Sequence, residues 1–169
     1  MCIRDSVIKK IAEVNVTSTT QYIDFTNIPS VPFFIMFIKI VSGATSPAGV
    51  RLFRNGNYNN SNYYSPHIVH YEGAGSYLGH SNLNSCYIGT IDSSTAPLIS
   101  VVYIYNNTSM YAMFRTTFRL ATYDYNYNVI GHIREVGVVA QITSLRLYTD
   151  SSTGIDANSK VMLYACEVD

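Results

Sequence analysis

His67, His70 and His80 stand near one another in the sequence with Glu72 beside them, the residue types that hold a zinc ion. On a strand, His70 and Glu72 share a face while His67 points away, and His80 joins only through a loop. That spacing reads as loop and rim histidines rather than a metal site. Glycoside hydrolysis needs two acids facing each other across a cleft. Glu72, Asp92, Asp124 and Glu135 are the mid-chain candidates, and no spacing pairs any two of them. "GSYLG" holds a serine but lacks the G-x-S-x-G order of a nucleophile elbow. No glycine-rich loop lies between a strand and a helix to cradle a phosphate. The expectation is a protein that is not an enzyme, with no catalytic residues, no metal and no cofactor.

The composition narrows the partners. Charged residues make up 13% of the 169, about half the usual share of roughly 25%. Lys+Arg and Asp+Glu number 11 each, so the chain has no basic field for nucleic acid. It also has no polybasic arm for anionic lipid. A neutral chain has little electrostatic reason to stay apart from its copies, which makes self-association a live expectation. The 15 tyrosines suit strands and interfaces, since each brings apolar area and a polar tip. Cys2, Cys86 and Cys166 form an odd set. Cys86 and Cys166 read as small buried hydrophobes, a bridge between them being the alternative.

The periodicity is β almost throughout. In "MYAMFRTTFRLATY", Met110, Ala112, Phe114, Thr116, Phe118 and Leu120 fall on one face, and Tyr111, Met113, Arg115, Thr117 and Arg119 on the other. "KVMLYACEV" sends Val161, Leu163 and Ala165 one way. "FFIMFIKIV" and "LISVVYIY" are continuous apolar runs, far shorter than the ~20 residues of a membrane helix, and read as central strands with Pro32 and Pro97 at their entrances. Turn-forming clusters such as "NIPSVP", "RNGN", "EGAGS" and "SSTGIDANS" separate the runs. The pattern predicts an all-β fold: a single antiparallel β-sandwich, jelly-roll-like, of about ten strands.

Two stretches stand out as contact surfaces. The loop "RNGNYNNSNYYSPH" interleaves amides with tyrosines, which makes Tyr58, Asn59, Asn62, Tyr63 and Tyr64 candidates for a subunit interface or a glycan contact. Its plainer reading is a long polar hairpin connection. The leading stretch "VIKKIAEVNV" carries Val7, Ile11, Val14 and Val16 with polar residues between, and as the first strand it must lie at a sheet edge. It either folds back on its own sheet or is donated to a neighbouring copy. The sequence N-x-[ST] occurs at Asn15, Asn59, Asn106 and Asn107, the candidate glycosylation sites.

The stretch "YIDFTNIPSVPFFIMFIKI" resembles the opening of a β-sandwich module of tailed-bacteriophage structural proteins, of the capsid-decoration or tail-appendage type. Phe25, Ile28 and Pro29 supply its "F-x-x-I-P" turn. "RLFRNGNYNNSNYYS" resembles the module's "LRFNGD…NYS" through Leu52, Phe53, Asn55 and Gly56. "ITSLRLYTDSSTGIDANSKVMLYAC" resembles its closing pattern through Ile142, Thr143, Ser144, Leu145, Leu147, Ala157, Ser159, Val161, Leu163 and Tyr164. Asn158 stands where the module has a glycine, and an asparagine still fits a left-handed turn there. Ala165, followed by "CEVD", replaces the module's terminal glycine.

The resemblance implies a non-enzymatic subunit of a virion or extracellular surface structure. Its expected partners are copies of itself, in a homo-oligomer, lattice or filament, or other virion proteins. A surface glycan is the alternative, for a carbohydrate-binding module on a fibre, with no nucleic acid and no membrane insertion. The opening "MCIRDS" has neither alternation nor cap and resembles a translated sequencing adapter of environmental DNA. Residues 1–6 are therefore expected to be a non-native or disordered leader, and residues 7–169 the single sandwich domain. The expected location is extracellular or on a virion surface.

Overall fold

Period-two alternation decides what each segment buries, and the result is a pair of facing sheets. The computed structural model describes residues 7–43, 48–55, 63–71, 75–81, 86–91, 97–106, 112–120, 125–135 and 141–167. In chain order the strands are β1 (Val7–Asn15), β2 (Tyr22–Phe25), β3 (Phe33–Ile40), β4 (Ala48–Arg54), β5 (Tyr63–Tyr71) and β6 (Gly75–Ser81). They continue as β7 (Cys86–Ile91), β8 (Leu98–Tyr105), β9 (Ala112–Leu120), β10 (Tyr125–Glu135), β11 (Leu145–Thr149) and β12 (Lys160–Glu167). There is no helix among the described residues. The fold is all-β and sandwich-like: β1-β12-β3-β8 form one antiparallel sheet and β2-β11-β4-β7 the other. The first sheet runs on past β8 through β9, β10, β5 and β6.

The core lies between the two four-stranded layers. Phe34, Met36, Ile38 and Ile40 of β3 face it, with Leu98, Val102 and Ile104 of β8 and Val161, Leu163 and Ala165 of β12. Ile23, Phe25, Val50, Leu52, Ile88, Ile91, Leu145 and Leu147 meet them from the second sheet. Burying each large apolar side chain contributes about 1.5–3 kcal/mol, so this face dominates the stability. Pro32 and Pro97 stand just before β3 and β8, as their missing N–H requires. Both apolar runs are interior strands of the first sheet, as expected from the sequence.

Polar side chains close the two ends of the sandwich. At one end Asn106 is buried: its Nδ2 donates to the Val31 carbonyl at 2.9 Å, and its Oδ1 accepts from the Ile142 N–H at 2.9 Å. Asn55, held at a φ of 53°, accepts on Oδ1 from the Thr143 N–H at 2.8 Å and donates from Nδ2 to the Gln141 carbonyl at 2.9 Å. The Ile28 N–H donates to the Thr143 carbonyl at 3.2 Å. Three short stretches therefore meet here: the I-P turn, Asn55 at the end of β4, and Ile142-Thr143-Ser144.

At the other end the Ser159 hydroxyl accepts from the Val41 N–H at 2.8 Å, and the Ser151 and Thr153 hydroxyls lie 2.7 Å apart beside Ser42. Gly154 has a φ of +77°, and a Cβ there would meet the Thr20 carbonyl oxygen at 2.8 Å. Asn158 adopts a φ of 71°, the left-handed conformation expected of it.

This geometry separates backbone from side-chain effects. Asn158→Gly is expected to leave stability unchanged or slightly raised, whereas Asn158→Ala loses about 1 kcal/mol to the left-handed backbone. Asn106→Ala, which strands a buried carbonyl and a buried N–H, is expected to lose about 2–4 kcal/mol. Urea denaturation midpoints of the three variants check the order.

Candidate functional site

A two-layer sandwich covers one face of each sheet and leaves the other outside. On β3, β8 and β12 the outward positions are mostly apolar too, Lys39 and Lys160 being the charged ones. Register aligns them in rows across β12, β3 and β8: Tyr164, Ile35 and Tyr103, then Met162, Phe37 and Val101, then Lys160, Lys39 and Ile99. Phe33 and Tyr105 form a further row with Cys166. Several are well exposed, at 60% for Ile99, 43% for Tyr105, 39% for Phe37 and 37% for Tyr103.

The face has two ends. At one, Phe33 stacks with Tyr103 at a centroid distance of 6.1 Å and tilts against Tyr105 at 4.9 Å. At the other, Phe37, Ile99, Val101 and Met162 line a shallow groove of about 340 Å³ with Lys39 and Lys160 at its rim. Phe37 also meets Tyr164 edge-on at 5.4 Å. Clustered exposed apolar and aromatic side chains of this kind mark contact surfaces in soluble proteins.

The second sheet is finished differently. On its outside Arg146 grips Asp24 with two hydrogen bonds of 2.6 Å and lies 3.9 Å over the Tyr22 ring. Arg51 pairs with Asp150 at 2.8 Å. This outer face combines paired ions with one exposed ring, Tyr22, covered on one side by the Arg146 guanidinium. The contrast between the two outer surfaces singles out the first sheet.

Strand β1 closes that sheet at its edge, pairing with β12 of the same chain. Of the candidate donated residues, Val16 is buried in the core, Ile11 and Val14 pack against it, and Val7 is 53% exposed beside Ile8 at 60%. A register shift between Lys10 and Ala12 breaks the ladder, and Lys9 and Lys10 precede it. A bulge and lysines are the devices that discourage another strand from adding to an edge. Glu13 accepts from Lys10 and from Lys160, both at 2.7 Å, and from Asn15 at 3.1 Å. Those hydrogen bonds hold its carboxyl down at about 2 and raise the Lys10 ammonium.

The remaining candidates are scattered. Tyr58, Asn59, Asn62 and Asn107 lie outside the described residues. Tyr63 and Tyr64 open β5, where their backbones pair with Glu135 and Arg134 of β10. His67 and His70 lie on β5 at an odd spacing, and His80 of β6 pairs in register with Pro66. Asn15 is exposed at the end of β1. The Asn106 amide is buried and hydrogen-bonded at both ends, to the Val31 carbonyl and the Ile142 N–H. Cys166 is a buried free thiol, which burial pushes up in pKa. The aromatic face itself was missed. Its signal was present in the odd-numbered residues of the two apolar runs, which a two-layer fold has no second core to bury.

Comparison with protein-family models and with curated proteins gives no match to this chain.

The Glu13 cluster makes a pH prediction. A carboxyl held at about 2 in the folded chain and near 4.5 in the unfolded chain stabilises the fold above about pH 4.5. That contribution fades as pH falls toward 2. The stability difference between the native chain and Glu13→Gln is therefore expected to shrink across this window. Carboxyl NMR titration should place the Glu13 midpoint near 2. A midpoint near 4.5 would show that the three donors do not engage it.

Proposed function

We propose that this protein is a non-enzymatic structural subunit of a self-assembling extracellular or virion surface structure, a phage decoration or appendage protein or a filament subunit. The observation that carries this reading is the aromatic and aliphatic outer face of β12-β3-β8, set against an ion-paired second sheet. Neutral overall charge removes the long-range repulsion that would oppose assembly. The bulge and lysines of β1 favour contact through the sheet face over donation of the first strand.

The finer fold belongs to the same reading: a jelly roll of about ten strands. Strand order supports it. β1 pairs with β12, β2 with β11, β3 with β8 and β4 with β7, each pair nested inside the one before. A two-stranded ribbon wound once round itself gives this nesting, and virion subunits use that architecture repeatedly. The meeting of the I-P turn, Asn55 and Ile142-Thr143-Ser144 at one sandwich end gives those sequence features a common structural purpose, in keeping with the phage-module resemblance.

A carbohydrate-binding module on a phage or cell-surface fibre is the second reading, and the exposed rings of Tyr103 and Tyr105 favour it as stacking platforms. The groove at the other end of the face argues the other way. Its lining is almost wholly aliphatic and aromatic, and a sugar's hydroxyls would find few partners there.

Light scattering and electron microscopy of the chain from Val7 onward test the proposal. Rings, sheets or filaments, or a mass that is a multiple of that of one chain, are expected at micromolar concentration. A monomer at about 100 μM that is retained on a glycan column, and released by Tyr103→Ala with Tyr105→Ala, would replace it with the second reading.

A further inference from the structure

The outer face of the first sheet is bulky at one end and concave at the other, along the same strands. The Phe33, Tyr103 and Tyr105 cluster stands at one end of β3 and β8. The groove of Phe37, Ile99 and Met162 lies at the other. Residues 99 to 105 span about 20 Å at ~3.4 Å per residue, so the protrusion and the hollow are separate features of one surface. Register makes the face balanced about its middle. Met36 pairs with Val102, and three positions away on either side Phe33 pairs with Tyr105 and Lys39 with Ile99.

We infer that this face packs against the same face of a second copy about a two-fold axis that reverses the strands, seating each copy's Phe33–Tyr103–Tyr105 cluster in its partner's groove. The inference rests on the self-assembly reading and names its contact. A strand-reversing two-fold through the Met36–Val102 level places Tyr105 of each chain over Ile99 of the other. Each knob-and-hollow contact then occurs twice, as a two-fold interface requires. Sheets packed face to face lie about 10 Å apart with interleaved side chains, the same geometry as the internal core.

Charge agrees with this occupant. Glu13 stands between Lys10 and Lys160 and offsets their charge at the edge of the face. Strand reversal keeps the Lys39 and Lys160 row of one copy away from the same row of the other. It lays the Lys160, Lys39 and Ile99 row over the partner's Cys166, Phe33 and Tyr105 row, which sets the Lys39 ammonium against the Phe33 ring, where cation–π contact is favourable. A copy of the same orientation, stacked without reversal, would set lysine on lysine and aromatic bulge on aromatic bulge.

The test uses paired cysteines in the whole chain. Ile99→Cys with Tyr105→Cys, treated with a short bismaleimide, is expected to give covalent dimer in high yield. Either single variant should give little, since like positions lie about 20 Å apart across the axis. The two sites in one chain are also about 20 Å apart and do not link internally. The native chain supplies the background from its own cysteines. Ile99→Asp, at a solvent-facing position, is expected to weaken association by about tenfold or more with an unchanged melting temperature. Equal linkage in the single variants would overturn the strand-reversed arrangement. No linkage in a chain that still assembles by light scattering would overturn the face while leaving self-assembly standing. A chain that neither links nor assembles would end both.

Discussion

A strand in a two-layer sandwich has one face for the core, and whatever it carries on the other must meet something else. β3 and β8 carry apolar residues on both faces, and the rest of the molecule follows from how that is resolved. Their inward residues, Phe34 and Met36 with Val102 and Ile104, are fully buried against the second sheet. Their outward residues, Phe37, Ile99 and Tyr103, have no third layer within the described chain and stand in solvent. Leaving Ile99 60% exposed forgoes about 1–2 kcal/mol of burial. The second sheet is finished with ion pairs: on its outside Arg146 pairs with Asp24 and lies over the Tyr22 ring, and Arg51 pairs with Asp150 just past β11.

The ends of the sandwich are settled by polar groups of another kind. A turn that crosses from one sheet to the other cannot keep its backbone in a ladder, and its N–H and carbonyl groups need partners. Asn55 and Asn106 supply them from either side of residues 141–144, and Ser159 and Ser151 do so at the opposite end. These side chains act as substitutes for ladder bonds. They fix where the chain changes sheet, and hence which residues of β3, β8 and β12 look outward. The aromatic surface thus depends on the end clamps as much as on the strands themselves.

Much of this was legible in the sequence. The alternation of Val161, Leu163 and Ala165, the central placement of both apolar runs, the prolines at their entrances and the left-handed Asn158 all follow from local rules. The long-range partners do not. Asn55 binds a segment 88 residues away and Asn106 one 36 residues away, and a polar residue in a turn looks the same whether it faces water or a buried amide. The aromatic face stayed hidden for a related reason. A continuous apolar run fits a strand buried on both sides, and only the layer count shows that one side is open.

The central claim is that the outer face of β12-β3-β8 is covered in the assembled protein while the outside of the second sheet stays wet. Hydroxyl-radical footprinting read by mass spectrometry, at dilute and at high protein concentration, measures this directly. The account predicts that oxidation of Phe37, Tyr103 and Tyr105 falls several-fold at high concentration while that of Tyr22 and Tyr148 is unchanged. Equal oxidation of both sets at every concentration, or protection centred on Tyr22, would contradict it.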